Sequence, residues 1–271
     1  MRICGLGLLG ALNGLIWQGP ALAQAPAVPI ETHFEMYAAG IHVANIDTEY
    51  AIGVREYQMH TEYHTTGLVS LFNHGHSDQT VNGLLTPTAV RPGRLFIHGE
   101  WRGEPRLADI EFSSGTPAVL QLAPADTQDR GPVPQAMLTG SIDNLSAMVN
   151  LMRTVGATGG CNISVRAFDG HKVTDFETRT GGMDTLQPSY GSIFSGPAMR
   201  CDFVGSVIAG AKRDDPADAR ATHGSTWLAR LTPGALPQPV RMSFESRWFG
   251  NAVMYLMASG PVPGAVVARS R

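Results

Sequence analysis

The stretch Cys161–Cys201 reads CNISVRAFDGHKVTDFETRTGGMDTLQPSYGSIFSGPAMRC. Two runs rich in β-branched and aromatic residues, Asn162 to Phe168 and Lys172 to Thr178, flank Asp169-Gly170. That dipeptide between such runs predicts a tight type I′ hairpin, because both turn residues of that type need positive φ. A further strand-like run, Met199 to Ile208, carries Cys201, with Phe203 and Val207 on the same face. The stretch therefore reads as extended chain folding back on itself, with a cysteine at each end.

Strand-like periodicity continues on both sides. Arg55 to Thr66 is the clearest case: Tyr57, Met59, Thr61, Tyr63 and Thr65 alternate with Gln58, His60, Glu62, His64 and Thr66. A period of two marks a half-buried strand. Before it, Phe34 to Tyr37 and Ile41 to Ile52 read as strands about a turn at Ala38-Ala39-Gly40. Ala44, Ile46, Tyr50 and Ile52 share one face. After it, Leu68 to Phe72 is read as the strand resuming, and His74-Gly75-His76-Ser77-Asp78 as a loop. Leu95 to Trp101, Arg106 to Phe112 and Val119 to Leu122 follow as strands, and Pro124 to Pro134 as a loop. Beyond the cysteines, Met183 to Gly196 reads as irregular. Ser225 to Leu231, Val240 to Trp248 and Ala252 to Ala258 read as the closing strands.

One helix stands out. Asp143 is an N-cap residue type, and Leu145, Met148, Val149 and Met152 recur at three and four residues. Gly156 and Gly159-Gly160 are read as its end. The expected fold is mainly β: a curved antiparallel sheet (half-barrel or β-spiral) of about ten to twelve strands with one principal helix packed on it.

The 271 residues carry a net charge of −3, with 16% charged and 43% hydrophobic residues, a globular composition. No basic stripe points to nucleic acid. The N-terminus has Arg2, an apolar run from Ile3 to Trp17, and Ala21-Leu22-Ala23, the pattern of a secretory signal cut after Ala23. Cys4 would leave with it. The chain then divides into signal 1–23, a lead-in 24–33 containing Pro26 and Pro29, a single β-rich domain 34–260 and a tail 261–271. No later segment is long and apolar enough to span a bilayer. Export would make Cys161 and Cys201 the one possible disulfide, closing a loop of about 40 residues and worth roughly 4 kcal/mol. The competing reading is two buried thiols; a redox pair would call for C-x-x-C spacing.

Two histidine groupings invite a metal reading. His74, His76 and Asp78 crowd one loop, and His60, Glu62 and His64 share a strand face where neighbours stand nearly 7 Å apart. A polar hairpin tip and a solvated outer face explain them without a metal, and neither a metal nor a cofactor is expected.

The chain resembles the bacterial exported proteins grouped as the domain of unknown function family 3108. The resemblance rests on Tyr37-Ala38-Ala39-Gly40-Ile41-His42-Val43-Ala44, then Tyr57 and Thr66-Gly67-Leu68, and the helix start Asp143-Asn144-Leu145-Ser146-Ala147. It continues through Cys161, Ala167-Phe168-Asp169-Gly170-His171 and Asp175-Phe176, and closes on Gly196-Pro197-Ala198-Met199-Arg200-Cys201 and Ala209-Gly210. Asn144, His171-Lys172 and Phe176 depart mildly from the family pattern. The resemblance implies an exported fold similar to envelope-integrity and lipoprotein-carrier proteins, in which a curved sheet wraps a helix. It implies no biochemical role.

Three functions compete. The first is a non-enzymatic periplasmic protein supporting the cell envelope, with an apolar ligand (a lipid or lipoprotein moiety) or an envelope protein as partner. Its concave lining would draw on Met59, Met148, Met152, Met242, Phe244 and Met254, with Met257 beside them. Methionines at such spacing also serve as ordinary core. The second is a hydrolase. No G-x-S-x-G elbow, H-E-x-x-H pair or phosphate loop is present, and Asp169 with Asp175 is the only carboxylate pair suggested for acid–base work. The third is a scaffold docking another chain through edge strands or the Pro124 to Pro134 loop. The sequence does not indicate an oligomeric state.

Overall fold

The computed structural model describes residues 27–125, 129–246 and 250–264. The stretch read as a signal, Cys4 and the expected cut after Ala23 lie outside these, as does the end of the tail. The elements run β1 (Ile30–Ala38), β2 (Ile41–Ile52), β3 (Glu56–Thr65), α1 (Gly67–Ser70), β4 (Gly75–Leu85), β5 (Val90–Trp101), β6 (Glu104–Glu111), β7 (Ala118–Ala123), α2 (Gln135–Leu138) and α3 (Asn144–Thr158). Then come β8 (Ile163–Phe168), β9 (Val173–Leu186), β10 (Gly196–Ala209), a short 3-10 turn (Pro216–Ala219), β11 (Thr222–Ala229), β12 (Gln238–Ser246) and β13 (Gly250–Pro261).

All thirteen described strands form one antiparallel sheet in the order β7-β6-β5-β4-β3-β2-β1-β13-β12-β11-β10-β9-β8. Two meanders are thus zipped together where the first strand meets the last, with Phe34 opposite Leu256, Met36 opposite Met254 and Ala38 opposite Ala252. The sheet edges, β7 and β8, are neighbours in sequence, and the chain between them carries α3. That link covers one edge: Ile142 bonds to β8 on both sides, its N–H to the Arg166 carbonyl at 2.9 Å and its carbonyl to the Phe168 N–H at 2.8 Å. A covered edge cannot template pairing with another chain. The sheet does not close by hydrogen bonds. Its far ends meet through side chains, with Phe168 and Val173 in one apolar cluster with Ala108, Ile110 and the helix residue Val149. Gly170, at φ +99°, lies so close to Leu122 and Ile110 that a Cβ there would stand 2.9 Å from the Leu122 methyl.

The concave face is filled at one end. Tyr57, Met59, Val81, Leu85, Val90 and Leu95 pack under α3. Asp143 caps the helix, accepting from the Ser146 N–H at 2.9 Å, and the Ser146 hydroxyl also bonds its carboxylate. The Tyr57 hydroxyl meets Ser146 Oγ at 2.5 Å, so β3 and the first helical turn share one buried polar chain. Gly159, at φ +69°, ends the helix, and Gly156 lies inside it, against Leu236. Cys161 and Cys201 are disulfide-bonded, with Cα atoms 5.6 Å apart and neither residue exposed. Leu151, Met152, Val155 and Leu228 surround the bond. It ties the chain leaving α3 to β10.

Four expectations need correction. The strand count is thirteen, because His74 to Asp78 is not all loop: β4 starts at Gly75 and pairs on both sides, with β3 and β5. Its inner face there is Ser77 and Gln79, so apolar alternation is missing. Leu68 to Phe72 is not a strand. Gly67 takes φ +62° and turns the chain into the single turn of α1. The first strand begins at Ile30, inside the stretch read as lead-in, and β13 runs to Pro261. The Asp169-Gly170 turn is not type I′. Phe168 pairs with Val173 across four residues, and only Gly170 has positive φ. The Asp169 carboxylate takes the N–H groups of His171 and Lys172 at 2.9 and 2.7 Å. Two-residue turns with both central φ positive occur instead at Ala39-Gly40 and Arg102-Gly103.

Candidate functional site

The other end of the concave face is hollow. Inward alternation on β1, β2, β3, β12 and β13 places Met36, Ile46, Tyr63, Phe244 and Met254 around one space, with Trp101 at the end of β5. The cavity measures about 740 Å³, inside the range for small-molecule sites. Trp101 reaches it because Gly75 on the neighbouring strand offers no Cβ, and the indole ring lies against that backbone. Burial raises the Tyr63 hydroxyl to about 12, so it stays neutral.

The mouth is charged. Arg102, Arg106, Arg130, Lys172 and Lys212 line it together with Glu100, Glu104, Asp169 and Asp218. Asp218 organises this ring from the short 3-10 turn. Its buried side chain takes the Lys212 N–H at 2.9 Å, Lys172 Nζ at 3.2 Å and Arg130 Nη1 at 3.4 Å. Burial pushes its carboxyl up, but that amide and the two cations outweigh it and hold Asp218 below the usual carboxylate range. Two cations thus share one carboxylate. Arg106 pairs with Glu104 at 3.0 Å, and Asp169 is occupied by its own turn. Lys212 Nζ lies 3.7 Å from Asp129, so the mouth is an ion-paired ring over an apolar floor.

Beside it stands the tip that joins β3 to β4. Asn73 on this tip accepts from the Arg102 guanidinium at 2.8 Å, and the Arg102 N–H bonds the His74 carbonyl. Leu68, Leu71 and Phe72 project from it, 72%, 74% and 81% exposed.

The residues singled out from sequence divide. Phe244 and Met254 do line the cavity. Met59 is buried at the filled end, and Met148 and Met152 pack about the disulfide. Met242, opposite Met254 across the β12–β13 pair, is half-buried outside the lining, and Met257 lies beside Gly191. The carboxylates Asp169 and Asp175 do not converge: Asp175 is held by Arg166 at 2.7 and 3.0 Å. Met36, Ile46 and Tyr63 were not singled out as lining, and of the charged mouth only Arg106, Asp169 and Lys172 were named from sequence, none as part of this site. Strand alternation marks Ile46 and Tyr63 as inward, but nothing local tells an inward residue at a filled end from one at a hollow end. Asp78 is brought not to His74 and His76 but to His60 and Glu62.

An unclosed antiparallel barrel, plugged by a helix at one end and hollow at the other, is the class that fold and site define. The chain belongs to the family described as "Protein of unknown function (DUF3108)", which matches residues 33–257. It is also similar to the crystal structure of a beta-barrel-like protein of domain of unknown function DUF1849 from Brucella abortus. That likeness has 11% identity and a TM-score of 0.49, and covers 88% of this chain and all of that one. No curated protein matches it.

Proposed function

We propose that this protein is a non-enzymatic periplasmic binder of amphiphiles that supports the cell envelope. The apolar part of a lipid or lipoprotein moiety enters the hollow end, and its anionic headgroup stays among the cations of the mouth. The observation that carries this reading is the cavity of about 740 Å³, apolar in its floor and charged at its rim. Apolar lining supplies affinity and a few polar groups fix orientation, the usual division in such sites. The exposed Leu68, Leu71 and Phe72 beside the mouth suit contact with a lipid surface, because large exposed apolar groups on a soluble face carry a cost that function must offset. The disulfide suits an oxidising compartment.

Titration with a fluorescent polyene fatty acid tests the reading. Ile46→Trp, which narrows the cavity, is expected to weaken binding at least about tenfold, a loss near 1.4 kcal/mol. Arg106→Ala is expected to weaken displacement of the probe by a fatty acid but not by the fatty alcohol of equal length. Absence of saturable binding, or an Ile46→Trp protein that binds as well as the parent, would overturn it.

A further inference from the structure

The convex face carries a second feature, at the register of the hollow end but on the opposite side of the sheet: Asp47 and Glu62 adjoin the inward Ile46 and Tyr63 in the chain and point the other way. Cross-strand pairing sets one row of titratable residues abreast over five strands: His33 on β1, Asp47 on β2, Glu62 on β3, Asp78 on β4 and His98 on β5. Directly opposed residues point to the same side of a sheet, so three carboxylates stand side by side in this row. Like charges directly opposite are destabilising unless a cation sits among them. None of the residues of β1, β2, β3 and β4 is lysine or arginine, so only imidazoles face these carboxylates from their own strands. Arg94 on β5, the nearest arginine strand, is engaged with Asp109 on β6 at 2.5 Å.

His60 completes the group from the diagonal position. Its Nε2 lies 3.0 Å from Asp78 Oδ2 and 3.7 Å from Glu62 Oε1. One ligating atom from each of these three residues falls within 4.8 Å of the others. Two ligands about 2.1 Å from a tetrahedral ion sit roughly 3.4 Å apart, so these spacings bracket what such an ion needs. His98 Nδ1 is 3.8 Å from the second oxygen of Asp78 and stands outside that close-set group of three.

From this juxtaposition we propose a divalent metal site on the outer sheet face, with His60, Glu62 and Asp78 as ligands and the half-exposed His98 joining as the fourth by rotation of its side chain. Two imidazoles and two carboxylates suit zinc-class ions, whereas Mg²⁺ and Ca²⁺ favour all-oxygen sets. The ligands come from three adjacent strands held by pairing on both sides, so the scaffold is rigid. Their half-exposed side chains leave an entry path from solvent. The His33–Asp47 pair, at 2.7 Å, lies next in the row and orients the carboxylate beside Glu62.

Calorimetric titration of the untagged mature chain with Zn²⁺ tests this, with Co²⁺ as a spectroscopic probe. One equivalent is expected to bind, and Co²⁺ is expected to show the intense visible bands of a four-coordinate ion. His60→Ala and Asp78→Asn, both partly exposed and confirmed folded by circular dichroism, should each weaken binding by at least about tenfold. His64→Ala, on the same strand face but turned to Asn45 and outside the close-set group, should not. Binding should weaken as pH falls, since protons compete for the imidazole nitrogens. No saturable binding below roughly 1 mM, or binding that His60→Ala and Asp78→Asn leave unchanged, would overturn the proposal.

Discussion

Asp143 shows how one residue couples local and global structure. It caps α3 while fully buried, with Ser146 and then Tyr57 continuing the hydrogen-bonded chain. Burial pushes its carboxyl above the usual range, against the hydrogen bonds from Ser146 that act the other way. A carboxyl with a raised folded value binds its proton more tightly in the native state. The native state therefore gains stability from this group below about pH 4, the ordinary carboxylate range, and loses it as pH rises through the raised value. Asp143→Asn keeps the cap without the charge. Chemical denaturation should show this variant gaining on the parent as pH rises from 4 to 8, whereas a pH-independent difference would contradict the burial argument. Asp143→Ala removes the cap and should cost about 1 kcal/mol or more at every pH. The cap was legible in the sequence, because Asp before an apolar three-four repeat has few other readings. Its partner Tyr57 was legible only as an inward residue. The sequence carried no sign that β3 passes beneath that helical turn.

Among the elements, the helix and its disulfide form the plug. Cys161 follows α3 and Cys201 lies in β10, so the bond joins the plug to the wall it fills. Replacing both cysteines by serine is expected to lower stability by roughly 4 kcal/mol, read as a shift in denaturation midpoint. With neither residue exposed, reductant should act on the parent only once it unfolds. The pairing of these two cysteines was open to sequence arithmetic. The four-residue Asp169 loop was not, because its shape follows from side-chain acceptance by Asp169 and from Gly170 fitting against Leu122. Strand β4 was missed for a related reason: neighbours on both sides make it a strand, while Ser77, Gln79 and Gly83 lack the apolar alternation that announces one. The α1 tip was read as strand from Leu68, Leu71 and Phe72, which instead project into solvent. If they meet a lipid surface, Phe72→Ser should reduce co-sedimentation with anionic vesicles several-fold and leave the melting temperature unchanged. Equal sedimentation of the two proteins would remove that role from the tip.

At the scale of the molecule, thirteen strands in one sheet place the chain's first and last strands together in the middle and its two edges at the helical link. That topology plugs one end and leaves the other open. Period-two alternation made a curved β fold legible, since long-range pairing merely joins strands the sequence already marks. The cavity was not legible, because Met36, Ile46 and Met254 are far apart in the chain and converge only when β1 pairs with β2 and β13. The division into a filled and a hollow end underlies the proposed function. It is tested most directly by native mass spectrometry of the protein purified without detergent, before and after organic extraction. The account predicts a discrete mass excess, held by the parent, removed by extraction and absent from Ile46→Trp. A parent protein carrying only its polypeptide mass, and failing to take up added fatty acid, would contradict it.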